Sequence, residues 1–337
     1  MKLLVVKTSS LGDIIHTLPA VRDAAKAIPS LTIDWVTEQA FSEIPTWHLN
    51  VRRVIPVAWR RWRRHWRECT LEIGGFKRAL QQEKYDKIID AQGLIKSGLI
   101  TFLAKGTRVG LDWSSLTEPL ARIFYHQVVH VNVSELAITR MRHIFSKSLG
   151  YSLQSLPLDY GLKKFEQPYP LKQPYVFFAH GTTWPSRKWP FQHWLTLAQK
   201  IKQQGYFIYL SWYTDEEKQF ANNLASKCNA VVVLPKQNLT KLAEIIAHAT
   251  ALVGVDTGLS HLAPACHTPS ITLYGPTDPI TRTYPTPSQL YLQANFDCLN
   301  CHKSVCHYKQ KKYVQAQCLK ACQPEQVLTQ LLPLLNK

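Results

Sequence analysis

Ala251-Leu252-Val253-Gly254-Val255-Asp256-Thr257-Gly258-Leu259-Ser260-His261-Leu262-Ala263 is a stretch in which an unbroken apolar run meets a polar corner and then an amphipathic segment. The run has the length and composition of a strand buried on both faces, and the spacing predicts a helix starting near Thr257 or Gly258. Such a start aims unpaired backbone N–H groups and the positive end of the helix dipole beyond the strand, a natural seat for an anion, phosphate first of all. Gly258 lets the backbone approach a ligand closely, while Asp256 can orient the pocket or accept a sugar hydroxyl. The same residues also fit an ordinary Asp N-cap with a buried His261.

Outward from this corner the alternation repeats. Leu3–Val6, Ile33–Val36, Lys87–Asp90, Tyr175–Ala179, Tyr206–Leu210, Ala230–Leu234 and Ser270–Tyr274 are short runs rich in Val, Ile and aromatics. Amphipathic stretches follow or separate them at Ile14–Ala27, Ser134–Leu149, Phe191–Gln204, Glu216–Lys227 and Leu239–His248, and Pro324–Leu335 reads as a last helix with Pro324 in its first turn. Pro19 is expected to kink or restart the first of these helices. Repeated strand-helix units predict an α/β protein with doubly wound parallel sheets. Gln154–Pro174, rich in Pro, Lys and Gln, is the natural linker, which divides the chain into domains of residues 1–160 and 161–337. The ligand cleft is expected between these domains, at the carboxyl ends of the strands.

The chain has 337 residues and a formal net charge of +17, which points to an anionic partner: nucleic acid, anionic lipid or a phosphorylated substrate. Arg52, Arg53, Arg60, Arg61, Arg63, Arg64 and Arg67 crowd into one segment with Trp59, Trp62 and Trp66, and the first acid after the run is Glu68. A surface helix with snorkelling cations is the plainer account of that segment. The opening apolar stretch, Leu3 to Val6, is too short for a signal peptide, and no segment reaches the length of a membrane span. A cytoplasmic protein with room for a peripheral membrane role is expected.

Asp13 follows the first strand within Lys7-Thr8-Ser9-Ser10-Leu11-Gly12-Asp13, at a strand-to-helix corner, where it can serve as a general base or simply cap the helix. In the second half, Thr182 and Thr183 close the Tyr175 strand and Lys188 leads into the next helix. Hydroxyls, backbone N–H groups and a cation are what a diphosphate leaving group needs, although Lys188 can equally be a solvated side chain. No Walker A sequence, G-x-G-x-x-G or G-x-S-x-G is present, which argues against a P-loop ATPase, a standard nicotinamide fold and a nucleophile-elbow hydrolase. Cys298, Cys301, Cys306, Cys318 and Cys322 cluster late in the chain; the first two have a zinc-compatible spacing, but the later spacings match no zinc ribbon, and thiols without metal are the first expectation.

Lys7–Ala20, Val255–Leu262 and Leu273-Tyr274-Gly275-Pro276-Thr277-Asp278-Pro279 together resemble the bacterial lipopolysaccharide heptosyltransferases, glycosyltransferase family 9. Ile55-Pro56-Val57 with Arg60-Arg61-Trp62-Arg63, Ile89–Leu94 and Lys188-Trp189-Pro190 extend the resemblance over nearly the whole chain. It implies a GT-B fold, two Rossmann-like domains, and metal-independent inverting transfer of heptose from ADP-L-glycero-D-manno-heptose, with no cofactor. The implied base is Asp13. Thr182, Thr183, Lys188 and the N–H groups of Thr257 and Gly258 would hold the diphosphate, with Asp256 on the heptose, His261 beside it and Glu217 a nucleoside contact. Ser10, Arg60, Arg61, Arg63, Arg64, Gln92 and Lys96 would face an acidic acceptor. The Arg-Trp segment matches members that transfer onto the Kdo of Kdo2-lipid A, whereas the cysteine-rich tail is nearer to members that extend the first heptose. The reading implies a peripheral protein of the cytoplasmic face of the inner membrane, monomeric, with no nucleic-acid partner. A nucleic-acid-binding protein would account for the charge, but not for Asp13 or the Asp256 corner.

Overall fold

In the computed structural model, which describes residues 1–153, 156–166, 170–283, 286–293, 295–311 and 316–336, the chain forms two units, Met1–Lys163 and Lys164–Lys337. Within the expected linker, Gln154, Ser155 and residues 167–169 lie outside the described residues.

The first unit runs β1 (Lys2–Val6), α1 (Leu11–Ala27), β2 (Thr32–Glu38), α2 (Glu43–Thr46), β3 (Val51–Val57), α3 (Trp59–Trp62), α4 (Thr70–Gln81), β4 (Lys84–Asp90), α5 (Ile95–Leu103), β5 (Lys105–Leu111), β6 (Gln127–Val129) and α6 (Ala137–Leu149). Its sheet has the order β3-β2-β1-β4-β5-β6, with every pairing parallel. The second unit runs β7 (Tyr175–Ala179), α7 (Phe191–Gln203), β8 (Phe207–Leu210), α8 (Asp215–Lys227), β9 (Val231–Val233), α9 (Leu239–Ala247), β10 (Ala251–Val255), α10 (Gly258–Ala265), β11 (Ser270–Tyr274), β12 (Gln289–Gln293), α11 (Gln317–Ala321) and α12 (Pro324–Leu335). Its order is β12-β11-β10-β7-β8-β9, again all parallel.

Counted from its own first strand, each sheet has the Rossmann order 3-2-1-4-5-6, whose direction reverses between the first and fourth strands. A crevice opens at the carboxyl ends of those two strands, so the loops after β1 and β4, and those after β7 and β10, are where ligands are expected.

Central strands β7, β10 and β11 are buried along their whole length, as parallel strands covered on both faces must be. Each fully buried Leu, Ile or Phe contributes roughly 1.5–3 kcal/mol to this arrangement. The strands not expected from apolar runs are β3, β5, β6 and β12. Of these, β3, β6 and β12 are sheet edges, and β3 carries Arg52, Arg53 and Pro56, the charges and proline that protect an edge. Helix α1 runs through Pro19 without a restart. Helix α6 ends on Gly150, whose φ of 77° favours glycine, and Pro324 opens α12 as expected.

Candidate functional site

In the first unit, Val6 pairs with Val36 on one side and Asp90 on the other, which sets the loop after β1 between those after β2 and β4. The Ser10 N–H and hydroxyl both donate to Asp13 Oδ2, at 2.9 and 2.7 Å. Asp13 therefore caps α1, as the plainer of its two readings has it. Burial pushes the Asp13 carboxyl up, but the Lys7 ammonium, the two Ser10 bonds and His16 together hold it below the usual carboxylate range. Lys7 is buried and donates from Nζ to the Ala91 carbonyl at 2.9 Å. Burial lowers its own pKa, against the pull of Asp13 and Asp90.

Gln92 Oε1 accepts from the N–H groups of Thr8 and Ser9 at 3.2 and 3.1 Å, and Lys96 Nζ donates to Ser9 Oγ at 3.3 Å. Both expected acceptor contacts thus meet the loop that leads to Asp13. The arginine segment arrives from β3: the Arg60 N–H donates to Glu38 Oε1 at 3.3 Å, while Glu38 N–H donates to the Thr8 carbonyl. Burial depresses the Lys96 pKa first, and the fields of Arg60 and Arg63 add to it. The structure accordingly brings Ser10, Asp13, Gln92, Lys96, Arg60 and Arg63 to one rim.

The rest of the arginine run separates by role. Arg61 pairs with Glu72, whereas Arg64 is exposed. Arg52 clamps buried Asp34 through Nε and Nη2 at 2.9 and 2.8 Å, and Arg53 Nε joins at 3.1 Å, so these two serve the sheet. Trp62 is core: it packs against Phe76 with ring centroids 5.4 Å apart, and its Nε1 donates to Glu72 at 3.0 Å. Of the three tryptophans Trp62 is buried, Trp59 half-buried and Trp66 exposed.

In the second unit, Gly254 pairs with Ala179 and Val255 with Leu273, so His180–Thr183, Asp256–Gly258 and Gly275–Thr277 leave neighbouring strands. Thr257 is the N-cap of α10, which starts at Gly258 as expected. Asp256, almost wholly buried, receives the Thr277 hydroxyl on Oδ2 at 2.6 Å and has His261 Nε2 at 3.4 Å from Oδ1. Arg187 Nη2 stands 3.3 Å from Oδ2, and its Nη1 donates to the Asp256 carbonyl at 3.4 Å. Burial raises the Asp256 pKa, but His261, Arg187 and Thr277 overrule it and hold the carboxyl well below its ordinary value.

Arg187 and Thr277 were not candidates from sequence alone. Arg187 lies beside Lys188 in a basic pair, and only folding shows which cation turns inward: Arg187 reaches Asp256, with its guanidinium 4.0 Å from the centre of the Trp184 ring, while Lys188 is exposed. Thr182 is half-buried and Thr183 exposed. Glu217 Oε2 accepts the N–H groups of Tyr213 and Thr214 at 2.8 and 3.4 Å, capping α8, and the carboxylate lies so close to Gly181 that a Cβ there would meet it at 2.5 Å. The donor candidates Thr182, Thr183, Glu217, Asp256, Thr257, Gly258 and His261 therefore stand at the ends of β7, β8 and β10. Late in this unit, Cys298, Cys301, Cys306 and Cys318 line one cavity as free thiols, and burial pushes the Cys318 thiol up to about 12. Among the described residues no three such side chains are grouped as metal ligands.

Two Rossmann-ordered domains, each with its polar corner at the switch point, are the architecture of the GT-B class of glycosyltransferases. The family model of glycosyltransferase family 9 (heptosyltransferase) matches residues 73–312. Lipopolysaccharide heptosyltransferase 1 of Pseudomonas aeruginosa is 43% identical, with 98% of this chain and 97% of that protein aligned. The Escherichia coli K12 enzyme of the same name is 46% identical over 83% of this chain and 89% of its own length. The solved E. coli heptosyltransferase WaaC with ADP-2-deoxy-2-fluoro heptose superimposes with a TM-score of 0.85 at 39% identity, covering 99% of each chain. The chain belongs to glycosyltransferase family 9, the heptosyltransferases.

Proposed function

We propose that this glycosyltransferase moves L-glycero-D-manno-heptose from ADP-heptose to the Kdo of Kdo2-lipid A, with inversion at the anomeric carbon. The observation that carries the chemistry is the Asp13 carboxylate, kept ionised at a switch-point corner beside Lys7, Lys96 and the arginine rim. With Oδ2 held by Ser10, Oδ1 takes the proton of the acceptor hydroxyl as that oxygen attacks the anomeric carbon on the face opposite the leaving ADP. Arg60, Arg61, Arg63, Arg64 and Lys96 then match the carboxylates and phosphates of the acceptor.

The departing diphosphate needs positive charge, which Arg187, Lys188 and the first N–H groups of α10 supply, with Thr182 and Thr183 as further donors. Asp256, fixed by Thr277 and His261, accepts a heptose hydroxyl, and Glu217 contacts the nucleoside. The relative solved with ADP-2-deoxy-2-fluoro heptose supports this choice of donor. Because the acceptor is a membrane lipid, the exposed arginines and Trp66 would bring the protein to the anionic cytoplasmic leaflet; among the described residues no helix is long and apolar enough to cross a membrane.

The test is ADP release from ADP-heptose by the purified protein, with Kdo2-lipid A present, absent or already carrying one heptose. Release that requires the unmodified acceptor supports the reading. Release only with the heptosylated acceptor would move the protein to the second transfer step, and release with neither would overturn the transfer proposed here.

A further inference from the structure

The first unit exposes an apolar face that the reaction does not use. Between β5 and β6 the chain makes a single 3-10 helix, Pro119–Phe124. With three residues per turn, Leu120 and Ile123 eclipse on one side, and they are 63% and 68% exposed. This short helix lies on α5: the Phe124 ring sits so close to Gly98 that a Cβ there would meet it at 2.4 Å, and the Ile95 N–H donates to Glu118 Oε2 at 2.7 Å. Ile95, Gly98 and Phe102 share one face of α5 by helical spacing, and Ile95 and Phe102 are 43% and 52% exposed. The Phe102 and Phe124 rings are 6.1 Å apart, so the two short helices pack together and present their exposed apolar side chains from one surface element.

Cations outnumber acids along that element, where Glu118 is the carboxylate on the Ile95 N–H. The Arg108 guanidinium stands 5.0 Å over the Phe102 ring, Arg122 lies between Leu120 and Ile123 in sequence and bonds the Tyr125 carbonyl, and Lys105 is exposed just past the end of α5. Apolar tips ringed by long basic side chains are the composition of a surface that enters the head-group boundary of an anionic bilayer, where the stems bury and the charges stay among phosphates. A bilayer is favoured over a second protein copy because Lys105, Arg108 and Arg122 outweigh Glu118 around these tips, and two such net-basic faces would repel. Ile95 adjoins Lys96, whose ammonium reaches Ser9, so the face borders the acceptor rim within the same unit.

We propose that Ile95, Phe102, Leu120 and Ile123 form a lipid-docking surface that seats the N-terminal unit on an anionic membrane, with Lys105, Arg108 and Arg122 at the phosphates. This deepens the reading of the acceptor as a membrane-anchored lipid, on which it rests, and it places the apolar contact on α5 and its partner turn rather than on the arginine-tryptophan segment alone.

The test is flotation of the full chain with vesicles of phosphatidylcholine, alone or mixed with phosphatidylglycerol, read without donor or acceptor. The wild type should float with the anionic vesicles only, and L120S/I123S should bind them about tenfold or more weakly, the loss of two partly buried aliphatic side chains. The variant should keep wild-type turnover on a water-soluble acceptor bearing Kdo without acyl chains. Unchanged anionic-vesicle binding by the variant would overturn the proposal. So would lost turnover on the soluble acceptor, or a wild-type dimer in sedimentation that the double substitution abolishes. Failure of ADP release by the wild type would strike the transfer reading instead, and leaves the vesicle result to be read on its own.

Discussion

Arg187 grips Asp256 by both its carboxylate and its backbone, with Nη2 3.3 Å from Oδ2 and Nη1 donating to the carbonyl at 3.4 Å. One guanidinium thus fixes the corner between β10 and α10 and keeps a cation where the diphosphate is proposed to leave. Arg187→Ala should raise the KM for ADP-heptose by about tenfold to a hundredfold, as expected for a charge-assisted contact. Lys188→Ala should weaken donor use less, because Lys188 is exposed. Steady-state kinetics with the donor varied will check both, and an unchanged donor KM in the arginine variant would remove it from the donor site.

Asp13→Asn keeps a side chain able to cap α1 while removing the base, so turnover should fall by about a hundredfold to ten-thousandfold with ADP affinity unchanged by calorimetry. The pH dependence has a defined sign. The folded carboxyl titrates below its ordinary value, so it is fully ionised above about pH 4 and loses its charge only as the pH falls further. No acid limb of kcat/KM above that pH should vanish in the asparagine variant; one that does would mean Asp13 titrates higher than its surroundings imply.

Asp256→Asn replaces a buried, charge-paired carboxylate and should destabilise the protein by about 1–3 kcal/mol at neutral pH. A carboxyl whose folded pKa is depressed contributes stability above its unfolded pKa and loses it as the pH falls through the folded one. The difference in Tm between wild type and variant should therefore be widest at neutral pH and narrow below about pH 4. A constant difference across that range would show that the charge is not what stabilises the corner.

Replacing Arg60 and Arg63 with Ala should raise the acceptor KM and leave the donor KM alone, since both act with Lys96 at the N-terminal rim. Arg61→Ala should do less, because that guanidinium is shared with Glu72. An effect confined to donor affinity would place the segment on the wrong substrate.

Much of this was legible before folding, for a physical reason. Buried parallel strands such as Ala251–Val255 are continuous apolar runs, and the polar corner that follows breaks the pattern. The unread strands carry their information in pairing rather than composition: Val51–Val57 is an edge whose arginines reach back to Asp34, a contact between residues far apart in the chain. The same limit applied to the site. Sequence proximity could not tell Arg187 from Lys188, nor show that Trp62 turns into the core while its arginine neighbours stay outside, because both depend on which side of a short turn faces the sheet.

Trp62, rooted against Phe76 and tied to Glu72, leaves Arg60, Arg63 and Arg64 with little structural duty of their own. Their replacement is a change of surface, not of architecture, so a chain rewritten at these three positions should melt with the wild type.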